Sequence, residues 1–318
     1  MAPVEIAGVN VPLFTGPLVL GYMWGYGLYG ALIVQMYLYF TLFSGDKLSL
    51  KIFVWSLFTL ETTFVFISTV TAWRTFGLGW GDSNTFFFLG SSFGALPVLS
   101  GIISCLTQNF YLWRIWTMGM RKLFIIIGIA TVSLAQCLFA IYYGITLALH
   151  RGSVNEMVVL SPFRITWLIG CALCDILITA TMVLVLHNQK SRAFSSGSST
   201  SMALKRSIKY AVETGIITTF MAITEFILYV AAKHHTFHLT FFLMLSQVYV
   251  GSLVATLNTR ATNGRGKTDV FTTPPSRFRP GWDRTDSMSQ SGESSGRRTG
   301  ETIVLSDLKY PAPSRSRV

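Results

Sequence analysis

Seven runs of about 20 predominantly apolar residues dominate this chain, and each is long enough to cross a hydrocarbon core of about 30 Å as a helix. They fall at roughly 18–43, 50–72, 86–112, 123–149, 164–187, 208–231 and 239–259. In lipid every backbone N–H and C=O must find a partner within the protein, so only helices and closed barrels can span. A barrel needs alternating strands of about ten residues, and these runs are continuous. The breaks between them are short and polar, as in Ser44-Gly45-Asp46-Lys47 and Lys233-His234-His235, so the helices should run up and down as antiparallel neighbours. The predicted fold is an all-α integral membrane bundle of seven transmembrane helices.

Composition agrees. Only 12% of residues are charged and 51% are hydrophobic, whereas a soluble domain carries about 25% charged residues to face water. Aromatic residues reach 14%, which suits rings that pack a bilayer protein and mark its headgroup level.

Lys and Arg set the expected direction, because cytoplasmic loops keep positive charge. With the N-terminus outside, the outer segments hold Arg74, Arg151, Arg164 and Lys233. The inner loops hold Lys47, Lys51, Arg114, Arg121, Lys122, Lys190, Arg192, Lys205, Arg206 and Lys209. Ten against four places the N-terminus outside and the C-terminus inside, before the eleven basic residues from Arg260 onward are added. The expected organisation is a short outer N-terminus (1–15), a seven-helix domain (16–260) and a disordered cytoplasmic tail (261–318) rich in Ser, Thr, Arg, Gly and Pro. Met1 to Phe14 lacks a basic region and the first run is too long for a cleavable core, so the first helix is expected to be its own insertion signal.

The tail and the Ser/Gly-rich third inner loop, Ser191 to Ser201, offer phosphate acceptors beside arginines: Arg284 before Ser287, and Arg297 and Arg298 before Thr299. A solvated segment held near anionic headgroups by its basic residues is the competing reading. Ile303-Val304-Leu305 is a candidate docking motif for a cytoplasmic partner. Cys105, Cys137, Cys171 and Cys174 all fall inside predicted helices, so they read as small buried hydrophobes. His234, His235 and His238 stand together, with His150 and Glu156 on another outer loop, but a metal would need that second loop to fold over. No metal or cofactor is expected.

Polar groups inside the spans carry the functional information, because an ionisable side chain in hydrocarbon costs several kcal/mol unless it faces a partner or a cavity. Glu61, Asp175, Glu213 and Glu225 qualify, joined by the amides Gln35, Gln108, Gln136, Gln247 and Asn258. On the third helix Pro97, Ser100, Ser104, Gln108 and Tyr111 form one stripe, and on the fourth Ser133, Gln136, Ala140 and Tyr143 form another. Trp167, Cys171, Asp175 and Thr179 share a face of the fifth; Gln247, Gly251, Val254 and Asn258 share one of the last. These stripes should converge inside the bundle. Glu61, Gln136 and Asp175 form the candidate interior site. No basic residue shares their depth, so the two acids must hold a proton or meet something cationic or polar. Gln108, Glu213, Asn258 and Arg260 are placed together as a network at the cytoplasmic end. For the amides, interhelical hydrogen bonds that glue the bundle are the plainer explanation. Gly21 and Gly25 form a GxxxG, read as a close helix contact within the bundle.

Five separated segments carry a resemblance: Gly16-Pro17-Leu18 with Gly21-Tyr22 and Gln35-Met36-Tyr37-Leu38-Tyr39; Gln108-Asn109-Phe110-Tyr111-Leu112-Trp113-Arg114-Ile115-Trp116; Trp167-Leu168 with Cys174-Asp175-Ile176-Leu177-Ile178; Glu213-Thr214-Gly215; and Leu257-Asn258-Thr259-Arg260. In this order and spacing they resemble a large basidiomycete fungal family of seven-helix membrane proteins whose shared domain has no assigned function. The resemblance covers about residues 16–260; it implies the architecture and supplies no chemistry.

The favoured reading is a receptor-like or signalling-associated protein, an analogy suggested by an outside N-terminus and a converging polar interior. The alternative is a small-solute or ion transporter or channel that uses the mid-membrane acids. The third helix ends Tyr111-Leu112-Trp113-Arg114, without the Asp-Arg-Tyr of common G-protein-coupled receptors, and the seventh lacks their Asn-Pro-x-x-Tyr. Residues 239–259 contain no Lys, which excludes a retinal Schiff base. No Ser-His or metal-ligand set shares a depth, so no enzymatic activity is expected. The expected partners are the lipid bilayer, an unidentified ligand and a cytoplasmic partner of the tail, with no nucleic acid; the expected location is the plasma membrane.

Overall fold

The computed structural model describes residues 5–6, 9–80, 82, 87–117, 123–193, 199–232 and 236–260, without side chains at 5–6, 9–10 and 188–208. The tail (261–318), its phosphate acceptors and docking motif, Arg121, Lys122, Lys233, His234 and His235 lie outside the described residues, as does the middle of the third inner loop. A two-residue antiparallel ladder, β1 (Glu5–Ile6) with β2 (Val9–Asn10), precedes the first helix. The helices are α1 (Val11–Leu42), α2 (Leu48–Ala72), α3 (Ser91–Thr117), α4 (Leu123–Leu149), a short α5 (Val154–Val159), α6 (Ser161–Ala193), α7 (Ser199–Ala231) and α8 (Phe237–Asn258). All but α5 are long and apolar enough to cross a membrane, seven candidate spans in the described residues.

Their outward faces explain the composition. Only 22% of the most apolar stretch of α4 is buried inside the molecule, and the same holds for α2 and α7. Leu20, Trp24, Phe66, Phe124, Leu138 and Phe220 point outward, a continuous apolar girdle of a kind that water does not tolerate and lipid does.

Consecutive long helices are neighbours around a closed ring, which α1 completes by packing along α8; α3 lies innermost and also touches α6 and α8. The end where α1 begins is called the near end here, and the end where it stops the far end. Small residues set the closest approaches. A Cβ on Gly21 would lie 2.9 Å from Leu243 Cδ1, so the GxxxG of α1 is a seat for α8. A Cβ on Gly94 would lie 2.5 Å from the Ala148 backbone nitrogen, and one on Gly101 2.5 Å from Ala140 Cβ; α3 and α4 therefore touch almost backbone to backbone.

Several boundaries differ from the sequence expectation: α1 starts at Val11 rather than 18, α3 ends at Thr117 rather than 112, α6 runs to Ala193 rather than 187, and α7 starts at Ser199 rather than 208. The second span does not stop at 72 but continues through a π-helical stretch, Trp73–Leu78, where Phe76 packs edge-on against Tyr22 of α1 at 6.2 Å. The third starts at Ser91 rather than 86. Leu89 N donates to Gly152 O at 3.2 Å and Gly90 N to Arg151 O at 3.0 Å, so this apolar stretch pairs with the α4–α5 loop instead. Gly90 (φ 86°) and Gly152 (φ 68°) occupy the left-handed region, and a Cβ on Gly152 would come within 2.6 Å of Gly90 O.

Candidate functional site

The stripe residues of α3 and α4 do face inward: Pro97, Ser100, Ser104, Gln108 and Tyr111 are buried, as are Ser133, Gln136, Ala140 and Tyr143. Where α3 meets α4, α6 and α8, they assemble a network around Gln108. Its amide nitrogen donates to Asp175 Oδ1 at 3.0 Å. Its carbonyl oxygen accepts from Ser133 Oγ at 2.8 Å and from Gln136 Nε2 at 3.0 Å. Tyr249 of α8 donates its hydroxyl to the other carboxylate oxygen, Asp175 Oδ2, at 2.5 Å, and Cys171 Sγ stands 3.0 Å from the same hydroxyl. Around this core Gln136 Nε2 also reaches Ser104 Oγ at 3.3 Å, and Asn109 Nδ2 reaches Ser133 Oγ at 3.3 Å. One amide thus ties together side chains from two other helices, α4 and α6, and Asp175 extends the connection to α8.

Both oxygens of Asp175 accept from neutral donors although the residue is only 4% exposed. Beside it lies a cavity of about 20 Å³, lined in part by Thr107, Thr179, Thr218 and Tyr111. About 10–15 Å³ suffices for one water, but the lining is mostly apolar.

The expected interior trio is only partly united. Gln136 and Asp175 meet through Gln108, but Glu61 does not join them: fully buried on α2, it accepts from Ser246 Oγ of α8 at 3.1 Å. Its second oxygen has no hydrogen-bond partner among the described residues. The phenylalanine pair Phe64 and Phe242, with ring centroids 6.4 Å apart, packs one turn away across the same α2–α8 seam.

The expected far-end network of Gln108, Glu213, Asn258 and Arg260 is not formed. Gln108 sits at the middle of the bundle because α3 runs on to Thr117, with Tyr111, Leu112 and Ile115 buried beyond it. Glu213 faces away because Ala211, Gly215 and Thr218 turn the inner face of α7 toward α6 and the cavity beside Asp175; its half-exposed carboxylate meets Lys209 at 3.6 Å. Asn258 donates to the backbone oxygen of Gln35 on α1 at 2.9 Å. Arg260 pairs with Asp46 of the α1–α2 loop, Nη2 to Oδ2 at 2.6 Å, while its guanidinium covers the Phe43 ring at 4.6 Å. Tyr39 donates to the same Asp46 oxygen at 3.1 Å, so the start of the tail is clamped to the end of α1.

The sequence reading missed two groups. Tyr249 gave no stripe signal because α8 is buried around most of its circumference, which blurs its periodicity. Arg164, counted as a loop charge, lies inside α6 and is 4% exposed. It donates to the Tyr143 hydroxyl at 3.4 Å and covers the Tyr229 ring at 4.5 Å. Among the described residues, Arg164 therefore places a cation in the interior toward the near end. Of the histidines, His150 meets Glu156 at 3.5 Å, while His238 turns inward against Tyr229 with ring centroids 5.1 Å apart. Cys171 faces Tyr249, whereas Cys174 points to the Ile129 carbonyl of α4 at 3.7 Å.

Residues 171–262 match a family of unknown function, DUF6534. That stretch takes in α6 from Cys171 and all of α7 and α8, and so includes Asp175, Glu225 and Tyr249, but not Gln108 or Gln136. No curated protein and no solved structure matches the chain.

Proposed function

We propose that this chain is a receptor-like integral membrane protein, with its N-terminus outside and its C-terminus in the cytoplasm, in which the Gln108 network couples the two ends of the bundle. The observation that supports this reading is the network itself: one buried amide on the innermost helix bonds side chains of α4 and α6, and Asp175 passes the connection on to α8. Rotation or sliding of any one of these helices breaks bonds to the others, and helix shifts of about 1–2 Å are enough to switch a packed interface between two arrangements. The Lys/Arg asymmetry supports the orientation. Residence in the plasma membrane, a cytoplasmic partner for the tail, no enzymatic activity and membership of the wider basidiomycete family belong to the same proposal.

Proteoliposomes test it against transport. Purified chain reconstituted at defined orientation is expected to leave proton, Na⁺, K⁺ and small-solute gradients as slow to decay as in empty vesicles. A flux that rises with protein content and vanishes in Glu61→Gln or Asp175→Asn replaces the receptor-like reading with the transporter reading.

A further inference from the structure

Glu225 is a buried acid, 1% exposed, with both carboxylate oxygens unmatched among the described residues. A buried polar group left unpaired costs about 1–3 kcal/mol, and more if charged, so such a group points to a missing partner.

Its surroundings follow from the register of the helices. Arg164 over Tyr229 at 4.5 Å and Thr179 beside Thr219 at 3.4 Å fix the antiparallel pairing of α6 and α7. Glu225, one turn before Tyr229, then lies between Arg164 and Cys171, the level of Trp167. Both Arg164 and Cys171 are within electrostatic reach of it. The contact of Tyr229 with His238 at 5.1 Å fixes α7 against α8 in the same way and brings Phe242 to that level, where its ring meets Trp167 at 6.0 Å. Tyr143 of α4 completes the wall, 6.4 Å from the Trp167 ring.

Two unsatisfied donors share this region. Trp167 Nε1 and Arg164 Nε are buried and have no hydrogen-bond partner among the described residues. Yet no ion pair within 4 Å joins Arg164 to Glu225, although both are almost fully enclosed. An acid and a base held apart, each with bonding capacity to spare, complement a molecule that carries both signs of charge. A net cation would face Arg164 and a net anion would face Glu225, each a repulsion in a region of low dielectric. Aromatic walls add favourable contact for an ammonium group.

We infer that α4, α6, α7 and α8 form a binding site for a small dipolar molecule that joins a protonated amine to a carboxylate, such as an amino-acid zwitterion. Glu225 receives the amine; Trp167 Nε1 and Arg164 receive the carboxylate. This deepens the receptor-like reading by naming the class of ligand, and it rests on that reading only for what binding does afterwards.

The test uses the full chain in nanodiscs, with thermal unfolding measured against glycine, leucine, phenylalanine, glutamate and lysine, and against ethylamine and acetate as the two separate halves. At least one amino acid should raise the unfolding temperature in a saturable way while neither half does. Glu225→Gln should weaken that binding about tenfold or more, the loss of one charge-assisted contact. Trp167→Phe keeps an aromatic ring but removes the N–H together with the pyrrole half of the indole, so it should weaken binding while folding persists, and it decides the matter if Glu225→Gln does not fold. No response to any amino acid, or equal responses in wild type and Trp167→Phe, overturns the site. Binding that leaves the far-end helix separations unchanged keeps the site and removes the receptor-like reading.

Discussion

Replacing Gln108 by Met keeps roughly the volume of the side chain and removes its three short hydrogen bonds at once, one donated to Asp175 and two accepted from Ser133 and Gln136, along with a long contact to Cys171 Sγ at 4.0 Å. Interhelical hydrogen bonds in membranes are worth about 0.6 kcal/mol on average and up to about 1.7 kcal/mol. Three of them bracket the cost between about 2 and about 5 kcal/mol. The lower figure is the expected one, because every deserted partner keeps another bond: Asp175 with Tyr249 at 2.5 Å, Ser133 with Asn109 at 3.3 Å, and Gln136 with Ser104 at 3.3 Å. Met packs flexibly, so no cavity is added to the cost. Reversible unfolding in mixed micelles, titrated with a denaturing detergent, reads the difference. A cycle pairing Gln108→Met with Ser133→Ala should recover about 0.6 kcal/mol of coupling. A loss below about 0.5 kcal/mol would refute the reasoning, since it is what a residue at the hydrated end of the bundle would give.

Gly94→Ala should destabilise by at least about 1–3 kcal/mol in the same unfolding assay, because its Cβ meets the α4 backbone at 2.5 Å, whereas Gly27→Ala, with nothing within 4 Å, should be neutral or slightly stabilising. Asp46→Ala should cost about 1 kcal/mol, a value discounted for the partial exposure of the pair, and adding Arg260→Ala should cost little more; an additive double variant contradicts the clamp. For orientation, protease added outside intact cells should remove a tag placed before Met1 and spare one placed after Val318, and the reverse pattern sinks the assignment.

The spans were legible because a run of about 20 apolar residues has few alternatives in lipid. What lay between them was not. Gly90 and Gly152 act as a pair through their left-handed backbones, and nothing in either local sequence announces the other. Within the site, periodicity picked out Gln108, Gln136 and Asp175 as inward-facing, but depth depends on where a helix ends. The buried Tyr111, Leu112 and Ile115 carry α3 to Thr117 and lift Gln108 from the far end to the middle. Arg260 meets Asp46 rather than Glu213 because the five-residue α1–α2 loop folds back to the end of α8, a contact that helical spacing does not reveal. Glu225 was legible as a buried acid, but its lack of partners is a fact of three dimensions.

Coupling between the ends is the central claim, and a distance between spin labels at the far end tests it most directly. Trp116 on α3 and His187 on α6 are both exposed there and accept Cys labels, with Cys137 replaced by Ser and the other native cysteines buried. Asp175→Asn, which weakens the bond from Gln108 and the bond from Tyr249 deep in the bundle, should shift the Trp116–His187 separation by about 2 Å or broaden its distribution while the helices stay folded. Superimposable distributions in the two proteins would contradict it and leave the network as glue.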